Sequence, residues 1–197
     1  MNLHLAEPHT VTTRASERRT RKRCQVKRLS FRNATSADAQ QLFTLIEAHT
    51  AEGLLLARSP VDLTANAARF TVAEHGGTII GCAELAPLSG RVAEVRSLVV
   101  DASARGLGIG RALVTDLETR ATREDFASLC AFTYDPRFFV RLGFSLVPHA
   151  WVPEKIAKDC MGCPQFRQCG QSAVVRPIGQ GMRRRSDAFV PLASLRS

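Results

Sequence analysis

The chain lacks any stretch of about 18 consecutive apolar residues, the length that a membrane-spanning helix requires. Its N-terminal segment also lacks the apolar core and small-residue cleavage site of a secretory signal peptide, so we expect a cytoplasmic location. Aromatic residues make up only 6% of the sequence, which disfavours a stacking platform for nucleic-acid bases. Internal repeats and low-complexity blocks are absent as well. These absences favour an ordinary globular domain with neither a membrane nor a nucleic-acid partner.

The net charge of +9 is concentrated near the two ends of the chain. Residues 1–32 hold nine basic and two acidic residues, whereas residues 176–197 hold five and one. We therefore predict a basic tail over 1–25, a folded domain over 26–175 and a second basic tail over 176–197. Solvated tails are the expectation, and tails that bind nucleic acid or an anionic membrane are the alternative.

The six cysteines form two groups: isolated Cys24, Cys82 and Cys130, and clustered Cys160, Cys163 and Cys169. Cys82 and Cys130 lie in apolar, strand-like runs and are expected to be buried. Thiolates with the spacing of the cluster can share a metal ion, with His149 as a fourth ligand. Because closed zinc sites usually need four ligands and a second C-x-x-C is missing, we assign no metal here. Reduced cysteines in a loop over the substrate end are the preferred interpretation.

Hydrophobic periodicity predicts a single mixed α/β domain. The expected elements, in order, are a strand Gln25–Arg32, a helix after the capping box Thr35–Asp38, a helix starting at Ser59-Pro60, a hairpin of Phe70–Glu74 and Thr78–Leu85, a strand Arg91–Val100, a helix Gly110–Arg123, a strand Ser128–Thr133, a short helix Pro136–Leu142 and a strand Phe144–Val147.

A glycine-rich turn lies between the strand that ends at Val100 and the helix that starts at Gly110. Free amides at a helix N-terminus bind anions, and glycine allows the backbone to approach a phosphate closely. Arg105 and Arg111 add positive charge that suits a pyrophosphate. The turn matches neither the G-x-G-x-x-G pattern of dinucleotide sites nor a P-loop, and a tight turn made only for packing is the structural alternative.

Arg105-x-x-Gly108-x-Gly110 resembles the R/Q-x-x-G-x-G/A loop of the GNAT acetyltransferases, and Ala131–Phe144 resembles the strand and F-Y-x-x-x-G-F helix that follow it. A narrower resemblance, to short bacterial amino-acid N-acetyltransferases of the N-acetylglutamate synthase type, extends over about Val26 to Val175. It is strongest in four segments, Glu52–Ser59, Ala93–Val100, Thr133-Tyr134 and Pro153–Pro164.

The resemblance implies a GNAT fold and acetylation of the α-amino group of glutamate, the entry step of arginine biosynthesis. It implies acetyl-CoA as co-substrate, held by backbone and side chains of Leu98, Val99, Val100, Arg105, Gly106, Leu107, Gly108, Ile109, Gly110 and Arg111. The amides near Leu98–Val100 would polarise the thioester carbonyl. The partner is then a small amino acid. The sequence leaves the oligomeric state open, a homodimer included.

Four residues are candidates for acceptor chemistry. Glu94 can take a proton from the amine, or it can simply form an ion pair with Arg96 or Arg91. Arg58 and Arg91 match substrate-binding positions of the resembled synthases and would bind carboxylate, with surface charge as the alternative. Tyr134 is the candidate proton donor to the thiolate, because Phe139 stands where many GNAT enzymes have tyrosine.

Two other functions remain open on sequence grounds. The same fold can acetylate a different small amine or a protein N-terminus. A non-enzymatic protein that binds nucleic acid through its basic tails is the alternative from a different functional class.

Overall fold

The computed structural model describes residues 29–50, 55 and 57–179. Seven strands form one mixed sheet in the order β1-β2-β3-β4-β5-β7-β6. Their bounds are β1 Leu29–Asn33, β2 Phe70–His75, β3 Thr78–Pro87, β4 Val92–Val100, β5 Ser128–Thr133, β6 Ser145–Val147 and β7 Ser172–Pro177. Neighbours are antiparallel except β4 and β5, which are parallel. The predicted mixed α/β class is confirmed.

Helices cover both faces of the sheet: α1 Ala39–Thr50, α2 Pro60–Asn66, α3 Ile109–Arg123, α4 Arg137–Val140 and α5 Pro153–Lys155, which continues as a π-helix Ile156–Cys160. The predicted helix starts are confirmed. The carboxylate of Asp38 accepts the N–H of Thr35 at 2.7 Å, and Ser59 Oγ accepts the N–H of Asp62 at 3.0 Å. None of the helices in the described part of the chain combines the length and apolarity needed to cross a bilayer.

The sequence analysis missed β7 and the helical turns between residues 149 and 168. β7 pairs with both β5 and β6, so it lies inside the sheet although it comes last among the strands of the described residues. Its short apolar stretch follows directly on a segment rich in cysteine and glutamine, where periodicity carries little information. The predicted start of the first strand at 25–28, the tail 1–25 and most of the tail 176–197 lie outside the described residues.

Alternation along the central strands divides the core between the two faces of the sheet. On one face, Val72 and Cys82 pack with apolar side chains of α1 and α2. On the other face, Ala73 and Ala83 pack with α3. Cys82 and Cys130 are fully buried, as predicted, and burial raises the pKa of the Cys82 thiol to about 12.

Gly81 of β3 sets how closely α3 approaches the sheet. A Cβ atom at this position would lie 3.1 Å from Cγ2 of Ile109 and 3.2 Å from the carbonyl oxygen of Val99. The first contact belongs to α3 and the second to the neighbouring strand, so a side chain here has little room. The helix that starts at the glycine-rich turn is thereby held against β3 and β4.

We expect Gly81→Ala to lower the free energy of unfolding by about 1–3 kcal/mol, because overpacking forces α3 or β4 to move. Gly90→Ala is the matched control, since nothing lies within 4 Å of the added Cβ, and its effect should stay within about 0.5 kcal/mol. Urea denaturation monitored by circular dichroism measures both changes. Equal midpoints for the two variants would contradict the close packing of α3 on Gly81.

Candidate active site

A cleft opens where β4 and β5 separate. The two strands pair in parallel only as far as Glu94 and Cys130, after which β4 continues to Val100 while β5 stays paired with β7. The resulting cavity has a volume of about 840 Å³ and is lined by side chains of both strands, α1, α4 and the π-helical segment. The free edge of β4 therefore faces the cleft with its backbone groups.

An irregularity at Ser97 bends β4 inside the cleft. The register between β3 and β4 shifts between Cys82 and Glu84, and Ser97 has a φ of 49°, in the left-handed region. An extra residue on one strand bends that strand and redirects its side chains. Ser97 Oγ accepts a hydrogen bond from Arg58 Nη1 at 3.0 Å. The bulge thus links the strand to the second predicted helix start.

The glycine-rich turn leads into α3 at the carboxyl end of β4, the position at which a helix start can bind an anion. Gly106 and Gly108 have φ values of 82° and 79°, which glycine adopts without strain. The first intrahelical bond of α3 runs from the N–H of Ala112 to the carbonyl of Gly108. The amides of 109–111 therefore have no acceptor within the helix and are available to a phosphate.

The predicted cofactor residues divide among the cleft, the surface and, for Ile109, the buried core under α3. Leu98, Val99, Val100 and Arg105 line the cleft, and a Cβ on Gly110 would contact Phe138 and Val100, two lining residues, at 3.4–3.7 Å. Arg111 is exposed on α3 and does not line the cleft. The turn thus borders the cleft at the end of β4 that lies farthest from Glu94, roughly 20 Å along the strand.

A four-residue ionic network surrounds Glu94 at the other end of the cleft. Lys155 Nζ donates to both carboxylate oxygens of Glu94 at 2.9 Å and to Asp159 Oδ2 at 2.8 Å. Arg96 donates to Glu94 Oε2 through Nε at 3.0 Å and Nη2 at 2.6 Å, and Nη2 also contacts Asp159. The ion pair that the sequence suggested for Glu94 and Arg96 is therefore present, with Lys155 as a second cation.

Burial differs among the members of this network. The side chain of Glu94 is 4% exposed and that of Lys155 10%, whereas Asp159 is 31% exposed. Burial alone would raise the pKa of Asp159, but hydrogen bonds and positive charge from Lys155 and Arg96 outweigh it and hold the pKa below its usual value. Two cations and two carboxylates balance each other in charge.

Arg58 lines the cleft, but most of its guanidinium is already bonded. Nη1 donates to Glu84 Oε2 at 2.6 Å and Nε to Asp62 Oδ2 at 2.6 Å. Burial opposes the charge, yet the bonds to Glu84 and Asp62 raise the pKa of Arg58 overall. Among the described residues Nη2 has no partner. By contrast, Arg91 is exposed at the turn before β4 and is not among the residues that line the cleft.

Tyr134 lies on the rim of the cleft after β5 and is 42% exposed. Phe139 packs against Phe138 and Phe144 with ring centroids 5.1 and 5.2 Å apart, so it serves the core. His49, at the end of α1, is a lining residue that the sequence analysis missed. Its Nδ1 is 2.9 Å from the carbonyl oxygen of Leu45, which can only accept, so Nδ1 carries the proton.

The cysteine cluster lines a second cavity of about 310 Å³ that borders the first. Cys160, Cys163 and Cys169 are all free thiols there, and burial raises the pKa of Cys160. His149 Nε2 donates to the carbonyl of Gln171 at 2.8 Å. Within the described ranges, no group of three or more His, Cys, Asp or Glu side chains is arranged to hold a metal ion.

Lys155 and Asp159 are the main site residues that sequence reasoning did not find. They are oppositely charged and four residues apart on a segment that begins with Pro153, a spacing that brings side chains together on a helix. That signal shows a local pair but not its partner. Glu94 lies 61 residues away from Lys155 in sequence, and only the fold brings the two together.

Comparison with known proteins identifies the family to which this fold belongs. Residues 32–144 match the model of the acetyltransferase (GNAT) family. An uncharacterized N-acetyltransferase from Chlorobaculum tepidum is 34% identical over 147 residues, which cover 75% of this chain and 95% of that protein. An amino-acid acetyltransferase from Mycobacterium tuberculosis is 31% identical over 117 residues, which cover 58% of this chain and 67% of the relative.

A similar solved structure is the N-acetylglutamate synthase from Neisseria gonorrhoeae in complex with coenzyme A and N-acetyl-glutamate. It superposes with a TM-score of 0.69 at 26% identity over 77% of this chain, which spans 35% of that synthase. The family match, the mixed sheet with its split between β4 and β5, and the glycine-rich start of α3 agree with one another. The chain belongs to the acetyltransferase (GNAT) family, and as a member it is an enzyme that uses acetyl-CoA as its co-substrate.

Proposed function

We propose that this enzyme transfers the acetyl group to the α-amino group of an amino acid, and that this amino acid is L-glutamate. The observation that carries the proposal is that three cationic side chains, Arg58, Arg96 and Lys155, line the cleft, and that Arg96 and Lys155 contact Glu94. Such side chains can bind carboxylates, which a polyamine lacks. Relatives named amino-acid acetyltransferase and N-acetylglutamate synthase support the same choice. The reaction is the entry step of arginine biosynthesis, which we expect in the cytoplasm.

Acetyl-CoA would bind with its pyrophosphate on the amides that start α3. The open turn at 106–108 leaves room for phosphate oxygens, and Arg105 lines the cleft beside it. The thioester would then lie along the free edge of β4, where backbone N–H groups near Leu98–Val100 stabilise negative charge on the carbonyl oxygen. The amine end of the acceptor would lie near Glu94.

Glu94 is the proposed general base. Among the described residues, only Lys155 donates to its Oε1, so a lone pair remains for the ammonium group of the acceptor or for a bridging water. Once the amine has lost its proton, its nitrogen attacks the thioester carbon, and collapse of the tetrahedral intermediate releases the thiolate. Tyr134, on the rim of the cleft, is the proposed proton donor to that thiolate.

Purified protein should acetylate glutamate with a kcat/KM at least about tenfold above that for glutamine, because loss of a charged hydrogen-bonded partner costs about 1.5–3 kcal/mol. Spermidine should not react. Release of free coenzyme A measures all three reactions, with acetyl-CoA and enzyme alone as the control for hydrolysis. Equal rates with glutamine, or a preference for spermidine, would contradict glutamate as the acceptor.

Gly110→Asp should weaken acetyl-CoA binding by about 100-fold or more, equivalent to about 2.7 kcal/mol. The new side chain would lie beside Phe138 and Val100, which its Cβ would contact at 3.4–3.7 Å, and would place a negative charge next to the amides at the start of α3. Acidic residues in a first turn stabilise helices, so the fold should persist. Gly110→Asn is the matched control, because it has the same shape without the charge and should lose much less affinity. Calorimetric titration provides the measurement; equal affinities for the two variants would reject a pyrophosphate at this turn.

Glu94→Gln keeps the shape of the side chain but cannot accept the proton. We expect turnover at neutral pH to fall by about 100-fold, with a smaller deficit at high pH where the free amine is already abundant. A pH profile of kcat separates this outcome from damage to the ionic network, which would lower kcat at every pH. Turnover within about threefold of the native value would leave Glu94 with a role only in the ion pair.

A further inference from the structure

The two carboxylates of the ionic network, Glu94 and Asp159, differ in burial and in hydrogen bonding. Glu94 lies on the central strand β4, is almost fully buried and accepts bonds on both oxygens. Asp159 lies on a π-helical segment, is 31% exposed, and bonds to the two cations only through Oδ2. Short π-helical segments are rare and occur often at functional sites. Asp159 is therefore the carboxylate that can leave the network most easily.

Hydrogen bonding requires such a departure when a carboxylate is to bind these cations. The three N–H donors of Lys155 are occupied, two by Glu94 and one by Asp159, and Arg96 Nη2 donates to Glu94 and Asp159. An incoming carboxylate can accept from these groups only when one of the present bonds breaks. If Asp159 moves out, the donors that it occupied pass to the incoming carboxylate. Glu94 cannot play this part without removing the proposed base.

Covalent geometry indicates which carboxylate of the acceptor takes the place. In an α-amino acid the amine and the α-carboxylate are attached to the same carbon atom. An amine in contact with Glu94 therefore brings the α-carboxylate next to the two cations that contact Glu94 at 2.6–2.9 Å. Arg58 bonds to Ser97 rather than to Glu94. It is therefore the candidate partner for the side-chain carboxylate of glutamate, at the other end of the acceptor.

Resting on the proposed function, we infer that Arg96 and Lys155 bind the α-carboxylate of the acceptor, and that Asp159 occupies this position as an internal substitute until the acceptor displaces it. The segment has room to move, because Asp159 borders both the main cleft and the second cavity of about 310 Å³. The apparent affinity for any α-amino acid is then the intrinsic affinity multiplied by the fraction of molecules in which Asp159 has left the site.

The test compares Asp159→Asn with Glu154→Gln. Asp159→Asn removes the competing charge, so the KM for glutamate should fall by about threefold or more, and the KM for glutamine should fall by the same factor. Asp159→Ala, which also removes the hydrogen-bond acceptor, should lower the KM values for glutamate and glutamine further. Glu154 lies on the same segment outside both cavities, so its conversion to glutamine should leave both KM values within about twofold.

Inhibition by 4-aminobutyrate, which is glutamate without its α-carboxylate, provides a second readout. Its inhibition constant should not change in Asp159→Asn, since it has no group to place on Arg96 and Lys155. A KM for glutamate that is unchanged or raised in a variant with native melting temperature would overturn the inference. If the native enzyme treats glutamine like glutamate, only the choice of glutamate as acceptor is overturned. A parallel decrease of both KM values in Asp159→Asn would still support Asp159 as the internal substitute.

Discussion

The separation of β4 from β5 after Glu94 is the constraint on which the rest of the site depends. A strand in the middle of a sheet normally has its backbone groups paired on both edges, and leaving one edge unpaired is unfavourable unless a ligand or water satisfies it. Here the bulge at Ser97 bends β4, while β7 stays paired with the other edge of β5 along its whole length. The sheet therefore stays continuous through its order β4-β5-β7-β6 while a cleft opens within it.

Both ends of this cleft have a source of positive potential, but the source differs between them. At the start of α3 the positive potential comes from backbone amides, which need no counter-ion and suit a phosphate. Around Glu94 it comes from side chains, and each buried cation is matched by a carboxylate. Such matching avoids the large penalty of a lone buried charge. In the proposed mode of binding, the acceptor's α-carboxylate therefore exchanges with Asp159.

The glycine-rich turn could be recognised from the sequence because its conformation depends on residues that are close together in the chain. Positive φ at Gly106 and Gly108 and free amides in the next turn arise within a few positions of the chain. Most helices and strands followed in the same way, from local periodicity and from caps such as Ser59. β7 did not, because its place between β5 and β6 is determined by pairing with distant strands rather than by its own six residues.

The sequence by itself determined the fold class and the family resemblance, located the glycine-rich turn, and left ion pair and general base as the two possible roles of Glu94. Tertiary structure decided which charges meet: Lys155 and Asp159 join Glu94 from 61 and 65 positions away, Arg58 bonds to Glu84, and Arg91 stays at the surface. The physical reason is range. Backbone conformation follows from neighbours along the chain, whereas the energy of a buried charge depends on every group that packing brings within a few ångströms of it.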